Sequence, residues 1–579
     1  MQSVRPRWLR PAFFLLFAGA VGFNLWKLPY GYFSIDESLY LAVPYRMLQG
    51  DCFLLQEWHM SQMSYFLLLP LMRLYLRLSP NTDGIALAFR GICLFFHTLT
   101  ALFLYWRMQK RDELAASVTA VLYEIYVYGS LMALSYNTMG IGLMVLCCVT
   151  MADPAWDGRR GPSFFAGLCF AGAVLCCPYL ALLYLVYSLA VLGCAIRKKK
   201  VGCVPGALSS RSWLFFTLAC ALLAALFFGR ILVLFGAESL PLLRRVLPLI
   251  VVDDEHPAQT LSEKIYSFYA AFYRFNTFFK PVLYGSIALS ALILLDKGRR
   301  KRRGLYLACA VGLTILFAVP YLLMYRTPNY LIFPFQILAF FAFLLCEKKN
   351  WRMMLWVWLP GAAYWFFIHA ASNMSLSTIC GISAVNLPAS IFFITQLFRE
   401  MLGESGDLPT LRRVADRSGF ALALACCLLL SVMQVVSRVE NSFTLTPFEE
   451  LTETCTVGST RGLRVSEEEN ELYEREYTAL APLRAIEDGN VLYFSADSRH
   501  YLEDPKRCSA WSMWMKTWDP AAALDKLELY WGLFPDKFPD YVYLTGEQLE
   551  DPAVLEAFAR YRFTLTPLSS GAILCPERP

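Results

Sequence analysis

Two adjacent carboxylates, Asp36 and Glu37, follow the first long apolar run of the chain, within the segment GYFSIDESLY. A carboxylate can act as a general base that removes the proton of an acceptor hydroxyl. Helix capping is the alternative, because Ser34 with Glu37 three residues later has the spacing of a capping box, and acids in a first turn suit the helix dipole. Capping accounts for Glu37 and for a helix that begins near Ile35. It leaves Asp36 without a structural task, so Asp36 is the first candidate for chemistry.

The composition is that of a polytopic α-helical membrane protein. Apolar residues make up 57% and charged residues 17% of the 579 residues. The apolar residues form runs of about 17–25, the length that crosses a hydrocarbon core. Thirteen such runs predict spans at 11–29, 84–106, 114–134, 136–152, 162–177, 178–196, 212–236, 279–296, 304–325, 329–346, 351–370, 380–399 and 418–437. The first run lacks a cleavage site of small residues and is interpreted as a retained signal anchor.

Basic residues in the loops predict the orientation of the spans. They cluster in alternate loops, on the same side as an N-terminus that carries three arginines before the first run. The positive-inside rule makes this side cytoplasmic. We therefore expect a multi-pass protein of the cell membrane with Asp36 and all residues after 437 outside the cytoplasm.

Residues 438–579, here called the tail, differ in composition from the membrane domain 1–437. The tail has 14 Lys and Arg against 25 Asp and Glu, a net charge of −11, whereas the remainder has +17. Short β-rich runs alternate with helical patterns, which predicts a small extracytoplasmic α/β domain. The runs are 490–495, 540–545 and 561–566 for strands and 519–533 and 547–559 for helices. The overall charge of +6 gives no indication of nucleic-acid binding.

Two loops on the expected outer side are longer than connectors. The first, 30–83, continues from the acidic pair into an apolar stretch at 62–78 that Pro70 and Arg73 interrupt, which is typical of a helix lying in the membrane interface. The second, 237–280, contains the run VVDDEHPAQ and an aromatic stretch. Both loops are amphipathic, so we expect them to form opposite walls of one site.

Further polar residues lie on or near this side and are candidates for substrate binding. They are His59, Gln62, Arg90, Asn137, Asp253, Asp254, Glu255, His256, Arg326, Asn329, His369 and Asn373. Each has a structural alternative: arginines snorkel to headgroups, asparagines cap helices, and histidines pack through hydrogen bonds. A transporter would instead place its polar groups near the bilayer midplane. No Cys or His spacing predicts a metal site.

The pattern D-E-x-x-Y…M-L-x-G-D resembles the C superfamily of integral-membrane glycosyltransferases (GT-C). The matching residues are Asp36, Glu37, Tyr40, Met47, Leu48, Gly50 and Asp51. The chain is similar in arrangement to the protein O-mannosyltransferases and the bacterial lipid A aminoarabinose transferase, with amphipathic helices in the first outer loop, a long loop after span seven and a C-terminal domain. The family's Lys-Pro-Pro element is missing, since the corresponding segment HMSQMSYFLLLP has no lysine.

The resemblance implies transfer of a sugar from a polyprenyl-phosphate donor in the bilayer to an acceptor hydroxyl of a glycan, lipid or protein of the cell envelope. It implies Asp36 as the base and Tyr40 of the same motif as a residue that binds substrate. Glu37 then caps its helix or holds an acceptor or a metal, so a divalent cation is a candidate cofactor. Candidates for the donor phosphate are Arg326, Arg90 and the pair Arg244 and Arg245, because the departing phosphate needs cations.

Two other classes of function stay open at this point. A lipid-linked glycan ligase or polymerase also places arginines and a histidine outside, without needing the acidic start. A transporter or flippase would use the tail as a binding lid. Under the transferase interpretation the tail is a lid or an acceptor-docking domain with no catalytic residue.

Overall fold

The computed structural model describes residues 8–79, 81–196, 210–251, 260, 262–263, 266, 279–324, 331–371, 379–404, 410–442, 444, 446–515 and 517–577. The chain is a helical membrane protein. Up to residue 440 its helices are α1 Leu9–Lys27, α2 Ser34–Leu48, α3 Leu69–Leu78, α4 Ile85–Met108, α5 Glu113–Ile125, α6 Tyr136–Ala152, α7 Arg160–Cys176, α8 Ala181–Ile196, α9 Ser210–Phe235, α10 Ser239–Val251, α11 Phe279–Leu295, α12 Arg303–Met324, α13 Phe333–Leu345, α14 Leu359–Ala371, α15 Leu387–Glu404 and α16 Thr410–Glu440.

Six helical stretches within the described ranges are long and apolar enough to cross a membrane. They are Leu9–Lys27, Ile85–Met108, Arg211–Ile250, Arg299–Val319, Gly381–Gly403 and Asp416–Glu440. Five further apolar helices are shorter, at Tyr136–Ala152, Arg160–Cys176, Pro178–Gly193, Lys280–Leu295 and Phe333–Leu345. Leucines on the outward faces, such as Leu15, Leu189 and Leu295, are exposed, as expected of surfaces that contact lipid rather than water.

The first loop, residues 30–83, is folded rather than extended. Helix α2 ends at Leu48, and two residues later the chain turns at Gly50, whose φ of +112° suits a residue without a Cβ. A 3₁₀ helix, Gln62–Leu68, then runs into α3. The predicted interface helix at 62–78 is therefore confirmed as a helical segment. Helix α3 buries Met72 and exposes Leu74 and Leu78.

The tail contains a five-stranded mixed sheet in the order β4-β3-β5-β7-β6. Strands β3 and β5 are parallel and central, while β7 and β6 form an antiparallel hairpin at one edge. All four residues of β3 are buried, as expected for a parallel strand covered on both faces. The strands are β1 Glu453–Thr454, β2 Arg464–Val465, β3 Asn490–Tyr493, β4 Arg507–Cys508, β5 Tyr541–Thr545, β6 Phe563–Leu568 and β7 Gly571–Pro576.

The described residues of the tail also form six α-helices. They are α17 Glu467–Ala479, α18 Ala481–Arg484, α19 Arg499–Glu503, α20 Pro520–Leu533, α21 Gly546–Glu550 and α22 Pro552–Phe558. Strands β3, β5 and β6 and helices α20, α21 and α22 lie where the sequence pattern predicts strands and helices.

A fully buried arginine, Arg46, joins the first loop to the tail. Its Nε donates to Asp51 Oδ2 at 2.6 Å and its Nη1 to Glu57 Oε2 at 3.0 Å. Its Nη2 donates to the carbonyl oxygen of Ala510 at 2.8 Å. Lys537 of the tail forms a second ion pair with Asp51. These four charged residues are here called the Arg46 cluster: Arg46, Asp51, Glu57 and Lys537.

Apolar contacts extend the joint between loop and tail. Residues of the first loop and of the tail belong to one apolar core, in which Trp58 packs edge-on against Tyr530 with ring centroids 5.4 Å apart. Backbone hydrogen bonds add to it, including Trp58 N to Trp511 O at 2.9 Å. A tail that opened as a lid would break this core, so the tail is a fixed part of the fold.

We expect the variant Arg46→Met to destabilise the protein by about 3–5 kcal/mol, because it leaves the buried Glu57 without its cation and leaves Asp51 with Lys537 alone. Thermal unfolding of the purified protein in detergent measures this change. Gln49→Ala is the control, since the Gln49 amide donates to two tail carbonyls at the periphery of the joint, one of these hydrogen bonds being exposed, and its loss should change stability by no more than about 0.5 kcal/mol. Equal unfolding temperatures for Arg46→Met and wild type would contradict the role of the cluster.

Candidate functional site

Helix α2 begins at Ser34, with Phe33 as the N-cap residue and no capping side chain. The capping box predicted for Ser34 and Glu37 is therefore wrong. Ser34 lies inside the helix, where its carbonyl oxygen accepts a hydrogen bond from the hydroxyl of Ser38. Ser34 and Glu37 have the spacing of a capping box but not its hydrogen bonds, because the carboxylate of Glu37 binds Arg90 instead.

Glu37 is buried in a bidentate ion pair with Arg90 of α4. Arg90 Nε donates to Oε1 and Nη2 to Oε2, each at 2.6 Å. The same guanidinium donates to the carbonyl oxygens of Leu28 at 2.7 Å, Gly31 at 2.6 Å and Tyr30 at 3.4 Å. All five N–H groups of Arg90 are thus used within the protein, which leaves none for the phosphate contact predicted for this residue.

Asp36, one residue earlier, forms no hydrogen bond or ion pair with any described residue. Burial raises the pKa of its carboxyl to about 6, and no neighbouring cation opposes this shift. A carboxylate with such a pKa is mostly ionised at pH 7 and is a stronger base than an ordinary aspartate. The two adjacent acids therefore differ: Arg90 neutralises the charge of Glu37, and no described cation neutralises the charge of Asp36.

Four tyrosines surround Asp36 closely enough for its charge to act on them, and are here called the tyrosine cluster: Tyr40, Tyr65, Tyr128 and Tyr136. The ring of Tyr40 lies 6.1 Å from that of Tyr65 and 6.4 Å from that of Tyr136, centroid to centroid. Tyr40 comes from α2, Tyr65 from the 3₁₀ helix and Tyr136 from the start of α6. Three separate segments thus converge on Asp36.

The fourth tyrosine, Tyr128, is held on a strained turn. The next residues, Gly129 and Ser130, both have positive φ, 63° and 59°. For a serine this conformation is unfavourable, and such strain occurs preferentially at functional sites. The hydroxyl of Tyr128 is buried and has no hydrogen-bond partner among the described residues. A buried donor without a partner is typical of a position that a ligand or water completes.

A hydrogen-bonded chain leads from the tyrosine cluster to the tail. The hydroxyl of Tyr65 lies 3.0 Å from Ser61 Oγ, which lies 2.7 Å from His59 Nδ1. The backbone N–H of Ser61 also donates to His59 Nδ1 at 3.2 Å. The ring of His59 packs edge-on against Trp514 of the tail at 5.5 Å. The tail therefore contributes a wall to the surroundings of the site.

Gln62 supports the first loop. Its Oε1 accepts a hydrogen bond from Leu54 N at 2.6 Å, and its Nε2 donates to the carbonyl oxygen of Glu57. Leu54 has a φ of +62°, so the amide of Gln62 stabilises an unfavourable backbone conformation. Asn137 is buried next to Tyr136, directly after the Ser135 capping box that starts α6.

The remaining predicted site residues are not brought to this site by the described contacts. His369 is buried near the end of α14, with its ring stacked on Trp365 at 6.4 Å. Seven predicted residues lie outside the described residues, and with them the predicted approach of the second loop: Asp253, Asp254, Glu255, His256, Arg326, Asn329 and Asn373.

Sequence reasoning missed Ser61, Tyr128 and Trp514. A signal existed for two of them. Tyr128 lies in YVYGS, where a glycine-containing turn separates two apolar runs, and Trp514 lies in WSMWMKTW, an aromatic segment within an acidic tail. Among the described residues no three His, Cys, Asp or Glu side chains are arranged to hold a metal. The carboxylate of Glu37, which was a candidate ligand for a divalent cation, is bound to Arg90.

We expect opposite effects on stability from the two adjacent acids. The pKa of Asp36 rises from 3.8 to about 6 on folding. Ionisation of Asp36 therefore lowers the free energy of unfolding, fully above pH 6 and not at all below about pH 4, where the carboxyl is protonated in both states. Asp36→Asn should therefore stabilise the protein by up to about 3 kcal/mol at pH 7.5, and the gain should shrink as the pH falls towards 4. Glu37→Gln should destabilise it by about 3–5 kcal/mol, because it leaves Arg90 buried without its carboxylate.

Thermal unfolding at pH 7.5 and pH 4.5 measures both effects. A loss of stability in Asp36→Asn at pH 7.5 would contradict the assignment of Asp36 as an uncompensated acid. An unchanged unfolding temperature in Glu37→Gln would contradict the structural role of the pair with Arg90.

The sequence was compared with protein-family models and with curated proteins. No protein-family model matches the sequence, and no curated protein is similar to it in sequence. The function is therefore argued from the geometry around Asp36 together with the acidic motif.

Proposed function

We propose that this protein is a GT-C-like glycosyltransferase that moves a sugar from a polyprenyl-phosphate donor in the bilayer to an acceptor hydroxyl of the cell envelope. The observation that carries the proposal is Asp36, a partly buried carboxylate without a described partner, directly after a helix long enough to span a membrane and within the tyrosine cluster. A general base for a hydroxyl at the membrane surface needs this combination of charge, raised pKa and position.

In the proposed reaction Asp36 accepts the proton of the acceptor hydroxyl while the hydroxyl oxygen forms a bond to the anomeric carbon of the sugar. The bond between that carbon and the donor phosphate oxygen breaks, and its electron pair leaves with the polyprenyl phosphate. Aromatic rings with hydroxyl groups suit the apolar faces and oxygens of a sugar, which is the role proposed for Tyr40, Tyr65, Tyr128 and Tyr136.

The proposed topology has thirteen spans, a cytoplasmic N-terminus and an extracytoplasmic tail. The Arg46 cluster supports it, because the first loop and the tail share one core and must lie on the same side of the membrane. The chain between them must then cross the membrane an even number of times. Twelve spans between residues 84 and 437 satisfy this condition.

We expect Asp36→Asn to lower transfer at least about a hundredfold, since it removes the base with little change in volume. In wild type the rate should rise with pH through about pH 6, as Asp36 loses its proton, and level off above pH 7. Mass spectrometry of cell-surface glycans and lipid-linked sugars from cells without the gene identifies the donor sugar. Purified protein is then assayed with that donor.

The exposed tail residue Asp488 provides the matched control, because Asp488→Asn makes the same chemical change away from the site. Its transfer rate should equal that of wild type. A fully active Asp36→Asn protein would contradict the proposed mechanism.

Reporter fusions test the topology. Alkaline phosphatase fused after residue 440 should be active in a bacterial host, and alkaline phosphatase fused after Arg302 should be inactive. The reason is that alkaline phosphatase folds only outside the cytoplasm. A green fluorescent protein should show the reverse pattern. Activity of the phosphatase after Arg302 would contradict the orientation.

A further inference from the structure

The hydroxyl of Ser61 is not used as expected for a serine at the start of a helix. Ser61 is the N-cap residue of the 3₁₀ helix Gln62–Leu68, where a serine hydroxyl ordinarily accepts a hydrogen bond from a backbone N–H of the first turn. Ser61 makes no such bond with the described residues of this helix. Its hydroxyl lies instead between His59 Nδ1, at 2.7 Å, and the hydroxyl of Tyr65, at 3.0 Å. Helix capping therefore does not account for this side chain.

The protonation of His59 follows from a second contact. The backbone N–H of Ser61 donates to His59 Nδ1 at 3.2 Å. Because a backbone N–H can only donate, Nδ1 must present its lone pair, and the neutral imidazole then carries its proton on Nε2. The tautomer of His59 is thus inferred from its hydrogen-bond partners.

This tautomer determines the direction of the other two hydrogen bonds. Since Nδ1 of His59 has no proton, the hydroxyl of Ser61 donates its only proton to Nδ1. The oxygen of Ser61 then accepts the proton of Tyr65. Burial raises the pKa of the Tyr65 phenol well above its ordinary value, so this proton stays on the phenol oxygen. Tyr65 therefore has only lone pairs left to offer to a ligand.

The first loop and the tail together hold His59 in place. The backbone N–H of His59 donates to Oε1 of Glu57, a member of the Arg46 cluster, at 3.1 Å. The ring of His59 packs edge-on against Trp514 of the tail, with centroids 5.5 Å apart. The joint between loop and tail thus fixes the residue that directs the proton of Tyr65. The tail acts on the site in this way without supplying a catalytic residue.

Stabilisation of the local backbone is the structural alternative for this chain of hydrogen bonds. Ser64 has that role in the same helix, because its hydroxyl donates to the carbonyl oxygen of Ser61 at 2.8 Å. A bond of this kind needs only a backbone partner. The chain from His59 ends instead on a side-chain oxygen of the tyrosine cluster, which backbone stabilisation does not require.

Tyr65 lies close to the proposed base. Its ring is 6.1 Å from that of Tyr40, centroid to centroid, and Tyr40 lies one turn after Asp36 on α2. The charge of Asp36 acts on Tyr65. The direction of the Tyr65 hydroxyl therefore matters at the place where the substrate is proposed to bind.

We propose that His59 and Ser61 are positioning residues that hold the hydroxyl of Tyr65 as a hydrogen-bond acceptor, so that the site selects a substrate by one of its hydroxyl protons. The assignment to a substrate rests on the proposed function. A sugar hydroxyl can donate to Tyr65. A carboxylate or carbonyl oxygen in the same place would set lone pairs against lone pairs, and the site discriminates against such a group.

Nitrogen-15 NMR of the full-length protein with labelled histidine tests the direction of the hydrogen bonds without a substrate. The chain has five histidines, and the signals of His59 are those missing from His59→Gln. At pH 7.5 we expect an unprotonated Nδ1 and a protonated Nε2 in the wild-type protein. A proton on Nδ1 would overturn the proposal, because it would reverse the chain.

Transfer kinetics with the donor sugar identified as above test the effect on the substrate. Tyr65→Phe and Ser61→Ala should each lower kcat/KM about three- to tenfold, as expected for one hydrogen bond between neutral groups. The double variant should lose no more than Tyr65→Phe, since Ser61 acts only through Tyr65. The KM that rises, for the donor or for the acceptor, identifies the substrate that contacts Tyr65. Ser64→Ala is the matched control and should transfer as wild type does. Additive losses in the double variant would overturn the proposal.

Monodeoxy and monofluoro forms of that substrate test the polarity of Tyr65. Fluorine cannot donate, so in wild type the fluoro form should react as slowly as the deoxy form. In Ser61→Ala the proton of Tyr65 is released, and the fluoro form should react faster than the deoxy form. Wild type that used every fluoro form as well as the hydroxyl substrate would contradict the proposal. A protein with the expected His59 tautomer that transfers no sugar would contradict the proposed function, and with it the assignment to a substrate, and leave the hydrogen-bond direction standing.

Discussion

The ion pair between Glu37 and Arg90 is the interaction on which the candidate site depends. One guanidinium binds this carboxylate and the carbonyl oxygens of Leu28, Tyr30 and Gly31, so it fixes the turn between α1 and α2 together with the first turn of α2. A single pair therefore determines how the chain leaves the first span. Because Glu37 takes the cation, its neighbour is left with a charge that only burial and aromatic rings surround. The reactivity proposed for the site follows from this unequal division.

A second buried cluster, around Arg46, gives the first loop its other attachment. Asp51, the last residue of the acidic motif, binds Arg46 and Lys537, and this contact connects the motif to the tail. Burial raises the pKa of Glu57, the second acid of the cluster, even with the arginine beside it. Members of one sequence motif thus have different surroundings: Asp36 has no described partner, whereas Glu37 and Asp51 form ion pairs that hold the elements around it.

The sequence predicts what depends on local periodicity. Apolar runs indicated the helices of the membrane part, the amphipathic stretch at 62–78 indicated a helical segment, and alternation in the tail indicated β3, β5 and β6. Pairings across long separations could not be predicted. The partner of Glu37 is 53 residues away, and Lys537, the tail partner of Asp51, is 486 residues away. The capping box, which is a local rule, fitted the spacing of Ser34 and Glu37. Only the fold shows that Glu37 binds Arg90 instead.

Charge is distributed unequally between the two adjacent acids. Asp36 forms no ion pair with a described residue, whereas Glu37 forms a bidentate pair with Arg90. A cation beside Asp36 would lower its pKa and weaken it as a base. Arg90 does not have this effect, because Glu37 and three carbonyl oxygens use all of its N–H groups. The basicity proposed for Asp36 therefore depends on the neighbouring pair, which binds the arginine of α4 completely.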